Sequence, residues 1–213
     1  MAPEKFIYFL RLHADFFPAL LEKYRNIRAI REKFEYREKI KKMAKNVILI
    51  GFMGVGKGRT ARMLAQKTGC YTVDTDDLIE TMVKMKIRDI FADHGEPFFR
   101  DLEQQTANWL RKNVKHTIVS TGGGFFQVKK LHKLGLVVYL HSSVEAILES
   151  IKQHPHAKKK IKKRPLLQDL DQAEALYAKR LPLYRKAADV EINVQGREIE
   201  DVADEIIARL ERR

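Results

Sequence analysis

The stretch Gly51-Phe52-Met53-Gly54-Val55-Gly56-Lys57-Gly58 carries the strongest chemical signal in the chain. It fits the pattern G-x-x-x-x-G-K-[ST] up to the lysine, and it follows a short apolar run and opens a helical pattern. Glycines let such a loop curl so that several backbone N–H groups face one phosphate, and the helix terminus adds partial positive charge. The lysine then reaches the outer phosphates. Gly54, Val55, Gly56, Lys57, Gly58, Arg59 and Thr60 are therefore the candidate nucleotide contacts. Gly58 departs from the pattern, which wants a hydroxyl there for Mg2+, and Thr60 sits too far round the helix to replace it. The metal must then rest on phosphates, waters and an acid elsewhere, which suits Mg2+ because it keeps several of its waters.

Two acids stand at the end of the next apolar run, Asp74 and Asp76. In an open parallel sheet, ligands gather beyond the carboxyl ends of the strands, so both can face the crevice. One can organise the waters of a metal while the other orients or deprotonates a hydroxyl. The plain alternative for Asp76 is a helix N-cap. Arg100 and Arg180 offer planar guanidinium groups suited to a small carboxylate. Taken singly, each would ordinarily be read as a surface salt-bridge partner. Gly122-Gly123-Gly124 removes side chains where a ligand could touch backbone.

These residues need a frame. Val47–Ile50 is a continuous apolar run, as expected of a strand buried on both faces. Further strands are expected at 71–74, 117–120, 136–140 and 190–194. Helices are expected at 57–68, 77–92, 96–113, 143–152, 171–187 and 199–210. Strands alternating with helices imply an α/β fold, a five-stranded parallel sheet with helices on both faces. Residues 4–42 lack glycine and repeat apolar residues at helical spacing, which predicts two helices at about 4–14 and 16–42. Three readings of this extension stay open: an appendage packed on the main domain, a dimerisation or partner-binding arm, or an upstream extension preceding a start at Met43.

In order and spacing, several motifs resemble the shikimate kinase family. They are Gly51–Lys57, Val73-Asp74-x-Asp76, Phe99-Arg100-x-x-Glu103, the triple glycine, Arg164-Pro165-Leu166-Leu167 and Arg180-x-Pro182-x-Tyr184. The resemblance covers residues 46–210 and leaves 1–45 outside. It implies a three-layer α/β/α P-loop kinase fold and phosphorylation of the shikimate 3-hydroxyl by ATP with Mg2+. It further implies Asp76 as the base or orienter for that hydroxyl and Asp74 as the metal's acid. Arg100 and Arg180 would clamp the substrate carboxylate, and Glu103 would orient Arg100. Gly122, Gly123 and Gly124 would bring backbone N–H groups to the substrate. Arg164 would meet the ATP phosphates from a lid at about 152–167. A related gluconate or nucleoside monophosphate kinase, or a nucleotide-binding protein impaired by Gly58, are the alternatives.

The net charge of +13 invites a nucleic-acid reading. Its location argues against one. Residues 1–46 carry 12 basic and 6 acidic side chains, residues 152–164 carry 7 basic and none acidic, and the rest hold 22 of each sign. The lysines at 158–163 read as steering charge beside a nucleotide, and His154 and His156 lack a third metal ligand. No apolar run approaches a membrane span. The single cysteine, Cys70, fits a reducing compartment. The first serine is Ser120, and six acids precede residue 47, which is unlike a transit peptide. The expectation is a cytoplasmic protein that binds small molecules, without nucleic acid or membrane. It is expected to be a monomer unless the N-terminal helices pair.

Overall fold

The computed structural model describes residues 46–153, 155, 157, 161 and 167–212. The expected N-terminal helices, His154, His156, the lysines at 158–160 and 162–163, and Arg164 lie outside the described residues.

Five strands run parallel: β1 (Asn46–Ile50), β2 (Tyr71–Asp74), β3 (Thr117–Ser120), β4 (Gly135–His141) and β5 (Val190–Asn193). Their spatial order is β2-β3-β1-β4-β5. All of β1 is buried, because helices cover both faces of a parallel sheet. Those helices are α1 (Lys57–Thr68), α2 (Thr75–Val83), α3 (Ile87–Asn113), α4 (Val144–Lys152), α5 (Leu170–Ala187) and α6 (Ile199–Glu211). The main core joins β1, β3 and β4 to Leu64, Leu110, Ile147, Tyr184 and Ile206.

A second, smaller core lies apart from the first. Ile79, Ile90, Phe99 and Leu102 close on one another between α2 and α3. The helix expected at 77–92 is corrected here: it is two pieces. Lys84 adopts a left-handed conformation at φ 58°, and α3 restarts at Ile87. The Glu80 carboxylate accepts from the Ile87 N–H at 3.1 Å and from Lys86 Nζ, so it caps the new helix. A periodicity count cannot see such a cap. The break anticipated before residue 96 is present, since Gly95 sits at φ 79°, ψ 174° inside α3. Pro97 follows in the first turn of the resumed helix, where its missing N–H costs little.

Candidate active site

The loop between β1 and α1 brings the first group of residues together. Gly56 immediately precedes α1 at φ 104°, a conformation that glycine adopts without penalty. Lys57 is buried, and its ammonium donates to the Gly51 carbonyl at 2.7 Å and the Phe52 carbonyl at 3.0 Å. The lysine is thus folded over its own loop, beside the N-terminal end of a helix.

The two acids divide their work in a way the sequence left open. Asp74, the last residue of β2, is the N-cap of α2: its Oδ1 accepts from the Asp76 N–H at 2.9 Å. Its Oδ2 accepts from Ser120 Oγ at 2.7 Å. The capping reading therefore belongs to Asp74, and Asp76 is left without that duty. Asp76 Oδ1 is buried and has no hydrogen-bond partner among the described residues. Burial pushes its carboxyl up to about 7, with Asp74 adding to the rise and Lys57 pulling the other way. An orphaned, poised carboxylate of this kind marks a functional site more often than a structural one.

Arg100 and Arg180 both turn inward. The Arg100 guanidinium donates to Glu96 and to Glu103. Burial works against its charge, but Glu103 and Glu96 more than offset that, and its pKa is raised. Glu103 is 1% exposed, and burial raises its carboxyl despite the opposing pull of Arg100. Its second oxygen, Oε1, has no hydrogen-bond partner among the described residues. Arg180 Nη1 lies 3.4 Å from the Gly123 carbonyl, which also accepts from Tyr184 OH at 2.6 Å. Burial pushes the Tyr184 phenol up to about 12 against the pull of Arg180, so it remains a proton donor.

The triple glycine is the seam where these groups meet. A Cβ on Gly122 would approach Asp76 Oδ1 to 2.6 Å and Glu103 Oε1 to 3.0 Å. A Cβ on Gly124 would overlap the Arg100 guanidinium, and one on Gly123 would sit 3.8 Å from Arg180 Nη1. Every one of the four side chains therefore converges on this short segment. The Gly122 amide is already taken by Thr75 Oγ1 at 3.1 Å, so Gly122 contributes an absent side chain more than a free N–H.

Ser120, Thr75, Tyr184 and Glu96 are structural members that the sequence reading did not assign. Tyr184 was visible inside the Arg180 motif. Ser120 and Thr75 were visible only as neighbours of the acids and glycines. Among the described residues, no three His, Cys, Asp or Glu side chains gather to hold a metal. Thr60 is not among the three nearest groups around a Cβ position at residue 58, which are Arg62, Ser120 and Asp74. Among the described residues, no helix is long and apolar enough to cross a membrane.

The model of the shikimate kinase family matches residues 53–211. The chain is 38% identical to a shikimate kinase of Thermodesulfovibrio yellowstonii over 175 residues, covering 79% of this chain and 96% of that one. It is 37% identical to a shikimate kinase of Helicobacter hepaticus, covering 76% and 93%. Among solved structures, the Acinetobacter baumannii shikimate kinase in complex with shikimate superposes with a TM-score of 0.69 at 32% identity, covering 78% of this chain and 93% of that one. The Aquifex aeolicus enzyme gives 0.64 at 29%, covering 78% and 96%. By the family model and these likenesses, the chain belongs to the shikimate kinase family.

Proposed function

We propose that the chain transfers the terminal phosphoryl group of ATP to the 3-hydroxyl of shikimate, giving shikimate 3-phosphate and ADP. The observation that carries this reading is the convergence of Asp76, Glu103, Arg100 and Arg180 on Gly122–Gly124, with Lys57 near enough to influence Asp76. Family membership sets the reaction class, and the neighbour solved with shikimate supports the substrate.

Phosphoryl transfer asks mainly for positioning and charge neutralisation. Arg100 and Arg180 hold the substrate carboxylate, and Glu103 fixes the plane of Arg100 from below. Glu96 is half-exposed and shares the Arg100 guanidinium, so it is the carboxylate that the substrate displaces. Asp76 orients the 3-hydroxyl and accepts its proton as the oxygen–phosphorus bond forms. Lys57 leaves the Gly51 and Phe52 carbonyls for the β/γ-phosphates, and the amides of Gly54–Thr60 cradle the rest. The resemblance extends the phosphate contacts to Arg164 on a lid spanning about 152–167.

The residues present fit a divalent cation. Asp74 carries an acceptor oxygen that faces a gap left by Gly58, whose missing Cβ would lie 3.8 Å from that oxygen. Asp74 would hold Mg2+ through its waters, and the cation supplies charge neutralisation at the phosphates. The test is ADP formation on adding shikimate, with gluconate and nucleoside monophosphates as competitors. Turnover with a competitor alone reassigns the substrate, and ATP binding without turnover makes the chain a nucleotide-binding protein.

A further inference from the structure

Gly58 takes away the hydroxyl that a phosphate-binding loop ordinarily offers to its metal. A gap in the loop does not remove the need for an oxygen there. Three groups surround the point where a Cβ of residue 58 would stand: Arg62 Nη1 at 3.6 Å, Ser120 Oγ at 3.7 Å and Asp74 Oδ2 at 3.8 Å. Arg62 is a cation and belongs with a phosphate oxygen. Ser120 is the one neutral hydroxyl among the three.

The sheet fixes Ser120 in place. It is 2% exposed and ends β3, where its Cα pairs with Leu49 of β1 on one side and Asp74 of β2 on the other. Partners in register on a parallel sheet point to the same face, so the serine and the aspartate must emerge together. The hydroxyl proton is spent on Asp74 Oδ2 at 2.7 Å. Its oxygen lone pairs remain, and the gap at Gly58 is where a third group can meet them. Asp74 is meanwhile held at both oxygens, by Ser120 and by the Asp76 N–H. This is a preorganised pair, not two mobile side chains.

We infer that Ser120 replaces the missing loop hydroxyl, holding with Asp74 the hydration shell of the divalent cation that accompanies the nucleotide. The inference rests on the kinase reading above. It makes Ser120 a positioning residue for the metal, acting from the third strand in place of the loop.

Binding of Mn2+ to the full chain saturated with ADP, followed by electron paramagnetic resonance, tests it. Wild type, Ser120→Ala, Asp74→Asn and the double variant Gly58→Ser/Ser120→Ala are compared, each also titrated with ADP in the absence of metal. Ser120→Ala should weaken Mn2+ by about 10–100-fold, as losing an outer-shell partner does, with metal-free ADP affinity held within about twofold. Adding Gly58→Ser should recover most of the loss. A purely structural serine would move both titrations together, or neither, and the serine introduced at 58 would not help. Either of those results overturns the inference. Loss of Mn2+ in Asp74→Asn with none in Ser120→Ala removes Ser120 while leaving the metal site. Failure of wild type to hold Mn2+ beside ADP removes the metal reading itself.

Discussion

The two sides of the crevice are built differently. The phosphate side grows from β1, whose Ile48, Leu49 and Ile50 are fully buried in the main core. The arginine side is mixed. Arg180 sits on α5, anchored in the main core by Ala173 and Tyr184. The helix α3 enters that core only beyond Arg100, at Ala107 and Leu110, while its part around Arg100 packs on the separate cluster of Ile79, Ile90, Phe99 and Leu102. Two left-handed residues, Lys84 and Gly95, interrupt the chain on that side before it reaches Arg100. Stability is distributed unevenly in proteins, and segments with few buried contacts open first. On the proposed reading, the candidate phosphate loop stands on the larger core, and the segment of α3 leading to Arg100 is the part expected to open more readily. Glu96, one residue after the Gly95 break, pairs with Arg100 and is half-exposed, as the proposed exchange for a substrate carboxylate requires.

The largest effect expected within the site itself comes from Asp76→Asn, where the two sides meet. Its kcat should fall by about 10²–10⁴-fold, the usual worth of a positioned base, while ATP affinity stays near wild type. Steady-state kinetics with an ATP titration checks both, and near-normal turnover would take Asp76 out of the chemistry. Arg100→Lys comes next. An ammonium cannot make two parallel contacts, so the shikimate KM should rise by about 10–100-fold, equivalent to the roughly 1.5–3 kcal/mol of a hydrogen bond to a charged group. An unchanged KM would refute the clamp.

Two further variants sharpen the contrast between the sides. Ile90→Ala should cost about 2–5 kcal/mol if its cluster were part of one cooperative core. Because that cluster is separate, hydrogen exchange should rise in α2 and in α3 ahead of Arg100 while β1 and α1 keep their protection. Uniform loss of protection would show a single core. The last expected effect is a change of stability with pH. The Asp76 carboxyl is raised from 3.8 to about 7 in the folded protein. The folded state thus binds the extra proton, and the stability this gives is full below 3.8 and lost as pH rises through about 7. Asn cannot ionise, so the Tm advantage of Asp76→Asn over wild type in ligand-free, metal-free protein should widen from pH 4 to pH 8. A constant difference would contradict the raised pKa.

Much of this was readable from residue order. The buried run Val47–Ile50, the glycine loop and the alternation of strands and helices follow from periodicity, and the sheet confirms all five strands. The approach of Arg100 and Arg180 to the triple glycine was legible only through the family resemblance, since each arginine alone suits a surface. What escaped the sequence depends on register and side-chain competition. Asp74 rather than Asp76 caps α2 because Asp74 is the residue that leaves the strand in an extended conformation. Ser120 stands beside Asp74 because β2 and β3 pair in that register. The turn at Lys84 depends on Glu80 reaching seven residues forward to Ile87. None of these relations has a signature in composition or local propensity.

The most direct measurement is phosphorus NMR of the full chain turning over ATP in the presence of shikimate and Mg2+. Consumption of ATP should depend on shikimate and yield one ADP for each new phosphate ester, located on the 3-hydroxyl by its coupling to the ring proton. ATP consumption indifferent to shikimate, or an ester formed only with gluconate or a nucleoside monophosphate, would contradict the account.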